Sequence, residues 1–290
     1  MLSSNIKVID NPQSPSYPAL SYLSPSNAIL AEQAGNPFGV PILWLGRPLG
    51  SSFPSPNAPR ESENIRLSLG LKGTIIGFDW DFRYTYSKSE HYIYQPDTST
   101  KKFSDAIAGK GGPGGDESWN LFDPSANSYS LVKWISTAQE TWTKNELDVL
   151  DLVFSGDVGS TQQGSIDIAF GLQYREEAFD VKRDKDSIVE FDSGGNLIKP
   201  ADLLFLGGGS ETSANRNAIA LFTELSVPII NKFQVNGAIR YEELENDSSF
   251  DPKISLRYEI SDNLIFRASL STSFREASLS QLYALSLIHI

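Results

Sequence analysis

Phe78, Trp80, Phe82, Tyr84 and Tyr86 alternate one for one with Asp79, Asp81, Arg83, Thr85 and Ser87. Successive side chains of a β-strand point to opposite faces, so this stretch carries one apolar face and one wet face. A soluble sandwich makes that pattern with its apolar face inside. A membrane barrel makes it inside out, with lipid on the aromatics and water in the lumen.

The same period of two recurs along the chain. Residues 64–72 set Ile65, Leu67, Leu69 and Leu71 against Arg66, Ser68, Gly70 and Lys72. After a turn around Lys72, Gly73 and Thr74, the second stretch alternates from Ile76 to Ser87. Residues 165–179 set Ile166, Ile168, Phe170, Leu172 and Tyr174 against Asp167, Gly171, Gln173 and Arg175. Further strands are expected at 217–227, 233–242, 253–260 and 264–274, and a poorly alternating one at 145–156. Several reach ten or more residues, whereas globular strands usually run about five or six. A tilted strand needs roughly 9–11 residues to cross a bilayer.

The connections separate the two architectures. Short ones fall at 73–75, 157–164, 228–232 and 261–263; long ones fall at 88–144 and 180–216, with a shorter one at 244–250. Up-and-down strands of an outer-membrane barrel place short turns on one rim and long loops on the other. Greek-key crossovers of a sandwich scramble that order. The expectation is therefore an all-β chain, a partial antiparallel up-and-down transmembrane β-barrel. Its aromatics face lipid, and Asp79, Asp81 and Arg83 face a wet interior. Tyr84 and Tyr86 belong to an interfacial girdle at the long-loop end.

Composition sharpens this by exclusion. No run of about 18 apolar residues marks a transmembrane helix, and a barrel would show none. The chain has no cysteine, which excludes disulfides and thiolate metal sites. A formal net charge of −12 argues against a nucleic-acid partner. The residues after Met1 have neither the basic nor the apolar region of a signal peptide, so either the protein is cytosolic or Met1 is not its true start.

Catalytic and metal signatures are weak. Of the two histidines, His91 and His289, the second sits in the terminal segment discussed below. One histidine and no cysteine cannot build a His-rich metal site or a His-based triad. The stretch GKGGPGGDE (109–117) lacks the GK[ST] ending of a phosphate loop and reads as a loop tip. Asp184, Asp186, Asp192 and Asn196 do not have the spacing of an EF-hand loop and read as a solvated loop. Glu176 and Glu177 are adjacent on a strand and cannot act as a carboxylate pair. The chain is expected to be no enzyme, with no metal and no cofactor. The connection 88–144 does carry Tyr92, Tyr94, Trp119, Trp134 and Trp142, the candidate ligand contacts, and also Tyr129. Exposed aromatics give contact area at low entropic cost. The alternative is that they pack the loop against itself or join the outer girdle.

From about Asn36 onward the sequence resembles the barrel of a TonB-dependent outer-membrane receptor. NPFGVPI (36–42) resembles the loop before a mid-barrel strand, and GLKGTIIGFDWDFRYTYSKS (70–89) is similar to the family's GLxG…WxWxxxYxYS hairpin. DLVFSGDV (151–158) with GSIDIAFGLQYREEAF (164–179) resembles SGDLF…GPxxLAxGxEYRxE, and ALFTELSVPI (220–229) resembles AxFxELxVPL. Residues 248–283 are similar to NPKxGLRxxPxxxLxLRASxxxSFRAPSLxQLY, with Glu276-Ala277 in place of the usual Ala-Pro.

The resemblance implies about eight strands of a 22-stranded barrel in the bacterial outer membrane. Such a barrel is plugged by a separate domain that is absent from this stretch. It implies outer-membrane lipid, a small-molecule ligand and the TonB energy-transducing complex as partners, the last acting through the plug. The ligand classes are siderophore, haem, cobalamin or saccharide. Alternatives are a passive porin-like barrel and a secreted β-sandwich adhesin or carbohydrate-binding module. Residues 1–62 are expected to be an irregular Pro/Ser-rich segment forming an extracellular loop, and 63–284 the barrel segment. LSLIHI (285–290) matches the in-frame translation of the transposase mosaic-end adapter CTGTCTCTTATACACATCT and is expected to be adapter sequence.

Overall fold

The computed structural model describes residues 57–283 apart from 122 and 246, together with three short strands nearer the N-terminus. Those are β1 (Asn5–Val8), β2 (Ala28–Ile29) and β3 (Ile42–Leu45), paired antiparallel in the order β1-β3-β2. They interrupt the segment expected to be irregular, most of which lies outside the described residues. So does the adapter-like stretch 285–290.

The main body is one antiparallel sheet. Its strands are β4 (Arg60–Ile75), β5 (Phe78–Thr98), β6 (Ser136–Thr161) and β7 (Gly164–Arg183), then, past a small hairpin of β8 (Glu190–Phe191) and β9 (Leu197–Lys199), four more. These are β10 (Thr212–Ile230), β11 (Phe233–Leu244), β12 (Ser248–Ser261) and β13 (Leu264–Ser271). The spatial order β13-β12-β11-β10-β7-β6-β5-β4 means that each strand lies beside its neighbour in sequence. That is the up-and-down arrangement, an unclosed arc of a barrel. All eight expected strands are present.

Most strands run well past their sequence-based limits. The 26 residues of β6 span roughly 85 Å, while crossing the apolar band at a tilt takes roughly 35 Å. Alternation fades in the outer parts because water lies on both sides there, and nothing selects an apolar face. The poorly alternating stretch 145–156 is the centre of β6. Its register resolves the ambiguity: Phe154 pairs with Trp80 and Phe170, and Leu152 with Phe82 and Leu172.

One turn of the short-connection rim and two glycines within strands show how local chemistry sets register. Ile76 and Gly77 both take positive φ (49° and 83°), the two-residue hairpin geometry that matches strand twist. The next cross-strand pair upward but one, Gly73 with Trp80, lets the indole lie over the glycine; a Cβ there would sit 2.9 Å from Trp80 Nε1. Gly171 is equally constrained, since a Cβ would come within 2.6 Å of the Leu152 carbonyl oxygen and 2.5 Å of the Phe222 ring.

The sheet's apolar face is continuous. Leu71, Phe82, Leu152, Leu172, Leu221 and Tyr241 stand in register across six strands. Much of this face is open in the isolated chain, with Leu71 67% and Leu221 54% exposed. A patch of that extent requires a cover. The densest packing is elsewhere, in the long connections: Phe103, Ile107, Trp119, Leu121, Leu131 and Ile135 are each no more than 1% exposed.

Candidate functional site

Two long connections meet above the sheet and form a cap. The first, residues 99–135, contains α1 (Thr100–Ile107) and α2 (Tyr129–Ile135). Ser99 caps α1 by accepting from Lys102 N (3.1 Å), and Asp202 of the second connection accepts from Lys101 N (2.8 Å) and Ser99 Oγ (2.6 Å). Ser128 caps α2 through Leu131 N (3.0 Å). Phe103, Ala106 and Ile107 on α1 and Leu131, Val132 and Ile135 on α2 recur at helical spacing, so each helix turns one apolar stripe into a common core with Trp119, Leu121 and Leu204.

Asp97, at the outer end of β5 and 4% exposed, ties the two connections together. Its carboxylate accepts from Thr98 N (2.6 Å), Phe205 N (3.1 Å) and Leu206 N (2.8 Å). Gly208 N donates to Gln139 Oε1 (3.1 Å), and Leu204 N to the Thr98 carbonyl (2.9 Å). Buried backbone groups need partners, and here the second connection finds them on the first and on the strand ends. Nothing in the local sequence signals this, because Asp97 lies 108 residues from Phe205.

The aromatic candidates divide among three settings. Trp119 is 1% exposed and packs edge-on to Phe103 (5.8 Å), so its ring is cap core; its indole nitrogen is buried with no hydrogen-bond partner among the described residues. Trp134 lies half-buried at the edge of that core, with the Lys102 ammonium 5.8 Å from its ring centroid. Tyr92 and Trp142 are cross-strand partners stacked at 5.3 Å, and Tyr92 donates to Glu140 (2.7 Å). With Tyr94, which pairs with Glu140, they stand on the same face of β5 and β6 as the apolar band, beyond its outer end. The structure brings Tyr92, Tyr94 and Trp142 together, and Trp119 with Trp134, as two separate groups.

Below Tyr92 the apolar face ends in a row of tyrosines that reach up to carboxylates. Tyr84 donates to Asp148 (2.5 Å), Tyr86 to Glu146 (2.9 Å), Tyr174 to Glu176 (3.4 Å), and Tyr241 to Glu243. Above them Lys88 pairs with Glu90 (2.8 Å) and Lys144 with Glu146 (2.7 Å). Ring below and charge above is the arrangement of an interfacial belt.

The opposite face is largely polar, interrupted by Val149 and Val153 on β6 and by Phe179 and Val181 toward the outer end of β7. Asp81 pairs with Arg83 (3.3 Å), and Thr74 Oγ1 donates to Asp79 (2.8 Å). His91 lies between Ser62 Oγ and Ser89 Oγ, each at 2.9 Å. Further along, Arg175 bridges Glu177 (2.8 Å) and Glu242 (3.0 Å), Arg240 donates to Gln173 (2.9 Å), and Gln173 to Asp151 (2.7 Å). Opposite charges alternate here, so the wall is polar without one dominant sign.

The other sequence candidates have structural partners. Glu117 of the glycine-rich tip bridges back to Gly111 and accepts from Ser128 Oγ (2.5 Å). Asp184 accepts from Glu140 N (3.0 Å) and Asp186 N (2.9 Å), and Asp186 from Thr137 (3.1 Å). Donation from the Asn196 side chain, then from the Asn196 and Gly194 backbone, holds the Asp192 carboxyl below its ordinary range. Among the described residues no three His, Cys, Asp or Glu side chains converge as a metal site.

A comparison with curated proteins found no match. Residues 10–286 match the family described as TonB dependent receptor-like, beta-barrel. With an up-and-down sheet, an apolar band ending in a tyrosine belt, and a polar wall beneath a cap, the chain belongs to the β-barrel family of TonB-dependent receptors, a family of outer-membrane receptors and transporters.

Proposed function

We propose that this barrel segment captures a scarce small ligand at the cap and passes it along the polar wall into the periplasm. TonB-transduced energy acts through a plug domain. The observation that supports this reading most is the cap itself. Its two connections share one core and one buried carboxylate, so a pre-formed surface stands over the polar face. Pre-formed surfaces bind with less ordering cost than mobile loops. Ferric siderophore, haem, cobalamin and saccharide are the candidate ligand classes.

Within this proposal the aromatic residues take different parts. Trp134, with Lys102 over its ring, offers an amphipathic contact at the cap edge. Trp119 supports that surface from beneath. Tyr92, Tyr94 and Trp142 contribute at the rim, where an incoming molecule first leaves the lipid headgroups.

The test is uptake of a panel of those four ligand classes by cells with and without the gene, each with and without functional TonB. The proposal expects one class whose uptake needs both. Uptake that needs the gene and persists without TonB would mark a passive barrel. Trp134→Ala is then expected to weaken binding of that ligand by about tenfold, the order of one aromatic or cation–π contact.

A further inference from the structure

Past Ser271 the chain leaves the sheet edge and turns back across the polar face. Thr272 N still reaches the Pro252 carbonyl (3.1 Å), but Glu276 and Ala277 lie against Arg216 of β10. Three strand spacings separate β13 from β10, roughly 14 Å of lumen wall. The crossing ends in α3 (Leu279–Tyr283), where Leu279 is 5% exposed among Phe179, Val181 and Ala214. Thr212 Oγ1 donates to the Tyr283 carbonyl (3.1 Å).

Arg216 is the hub. Its side chain is 9% exposed; Nε and Nη2 donate to Glu177 Oε2 (2.9 and 2.6 Å), and Nη1 donates to the Ala277 carbonyl (2.6 Å). Glu276 Oε2 lies 3.1 Å from Nη1 and is buried with no hydrogen-bond partner among the described residues, so this contact is charge attraction. One guanidinium therefore holds a wall carboxylate and a carboxylate of the crossing segment together. In the family pattern these two positions are usually Ala-Pro. Proline fixes φ covalently and limits the chain's freedom whatever the surroundings. An ion pair restrains the same segment only while both partners meet.

We propose that residues 272–283 form a releasable strap over the lumen wall, latched by Glu276 on Arg216 and anchored by Leu279. The strap narrows the lumen beneath the cap, and loss of the latch lets it swing inward from the wall. The proposal rests on the polar face being the lumen, and does not depend on which ligand is carried.

The chain has no cysteine, so Ser280→Cys on the exposed side of α3 gives a unique thiol within it for a nitroxide label. Electron paramagnetic resonance is recorded on the intact protein containing this chain, in detergent, with protease resistance confirming a folded barrel. The parent should show an immobilised label. Glu276→Ala installs the residue usual in the family, so folding is preserved, and the mobile-to-immobile ratio should rise about tenfold or more. The double variant Glu276→Ala/Ala277→Pro should restore immobilisation. A Glu276→Ala spectrum identical to the parent would overturn the latch. A double variant as mobile as Glu276→Ala would overturn the equivalence of ion pair and proline. Absence of TonB-dependent uptake by the parent would overturn the transport proposal and leave the reading of these spectra unaffected.

Discussion

Phe82→Arg and Asp81→Arg are neighbouring substitutions about 3.8 Å apart along the chain, with opposite expected consequences. Phe82 is the middle of five outward aromatics, Phe78 to Tyr86, and stands in register between Leu71 and Leu152. Four residues of strand separate it from either end of that run, about 13 Å, or about 10 Å of depth at a typical tilt. It therefore lies near the middle of an apolar band about 25 Å tall. Arginine at that depth costs about 2–4 kcal/mol, a loss of roughly 30- to 1,000-fold in the folded-to-unfolded ratio. Asp81 faces the polar wall, where its pair with Arg83 is half open to water (46% and 54% exposed). Exchanging one solvated charge for another there should cost about 1 kcal/mol or less. The assay is the guanidinium unfolding midpoint of the intact protein in phospholipid vesicles, read by tryptophan fluorescence. A lower midpoint for Phe82→Arg with a nearly unchanged one for Asp81→Arg is expected. Equal midpoints, or the reverse order, would refute the assignment of the two faces.

Removing the Asp97 carboxylate strands three backbone donors, buried at Thr98 and part-buried at Phe205 and Leu206. At about 1 kcal/mol or more each, Asp97→Ala should cost the cap about 3 kcal/mol or more of local stability. Amide exchange at 203–206 should accelerate by two decades or more while the centres of β10 and β11 hold; unchanged exchange would contradict the keystone role. The Asp192 turn should respond to acid. Its carboxyl is held below the ordinary range, so its contribution is present above about pH 4 and is lost as pH falls through the lower folded-state value. The Asn196 side-chain amide resonance should shift over that acid range, and a resonance flat down to pH 2 would count against the turn. Gly171→Ala should destabilise by about 1–3 kcal/mol, since the Leu152 carbonyl cannot yield as a side chain can; a thermal midpoint equal to the parent would show that the strands can spread. Expressed alone, the 290 residues should aggregate or require detergent, because Leu71, Leu221, Phe250 and Leu270 are all more than half exposed. A monodisperse monomer in plain buffer by light scattering would oppose the barrel assignment.

Wherever lipid lies on one side and water on the other, the architecture was legible, because the alternation of Phe78–Ser87 and Ile166–Arg175 is forced by two solvents on two faces. Above the tyrosine belt that forcing stops. Residues 88–98 and 136–144 still form strand, yet carry charge on both faces, and their pairing is set by the ladder they extend. The loop aromatics were legible as a set and not as roles. Trp119 and Trp134 are 15 residues apart in one polar connection, but only helix packing decides that one ring is sealed and the other lies at the edge.

The groups that organise the site were invisible for a related reason. Asp97 with Phe205, Asp202 with Ser99, and Arg216 with Glu276 are joined across 60 to 108 residues, by a sheet order that brings loops from one rim together. Each residue alone is an ordinary polar position. The departure at Glu276-Ala277 was the single local clue, and its meaning needed the fold: only once the strap crosses to β10 does the extra carboxylate have a cation to meet. A substitution that leaves the family assignment untouched therefore changes how the segment is held, from a covalent restraint on φ to a charge contact that can be broken and remade.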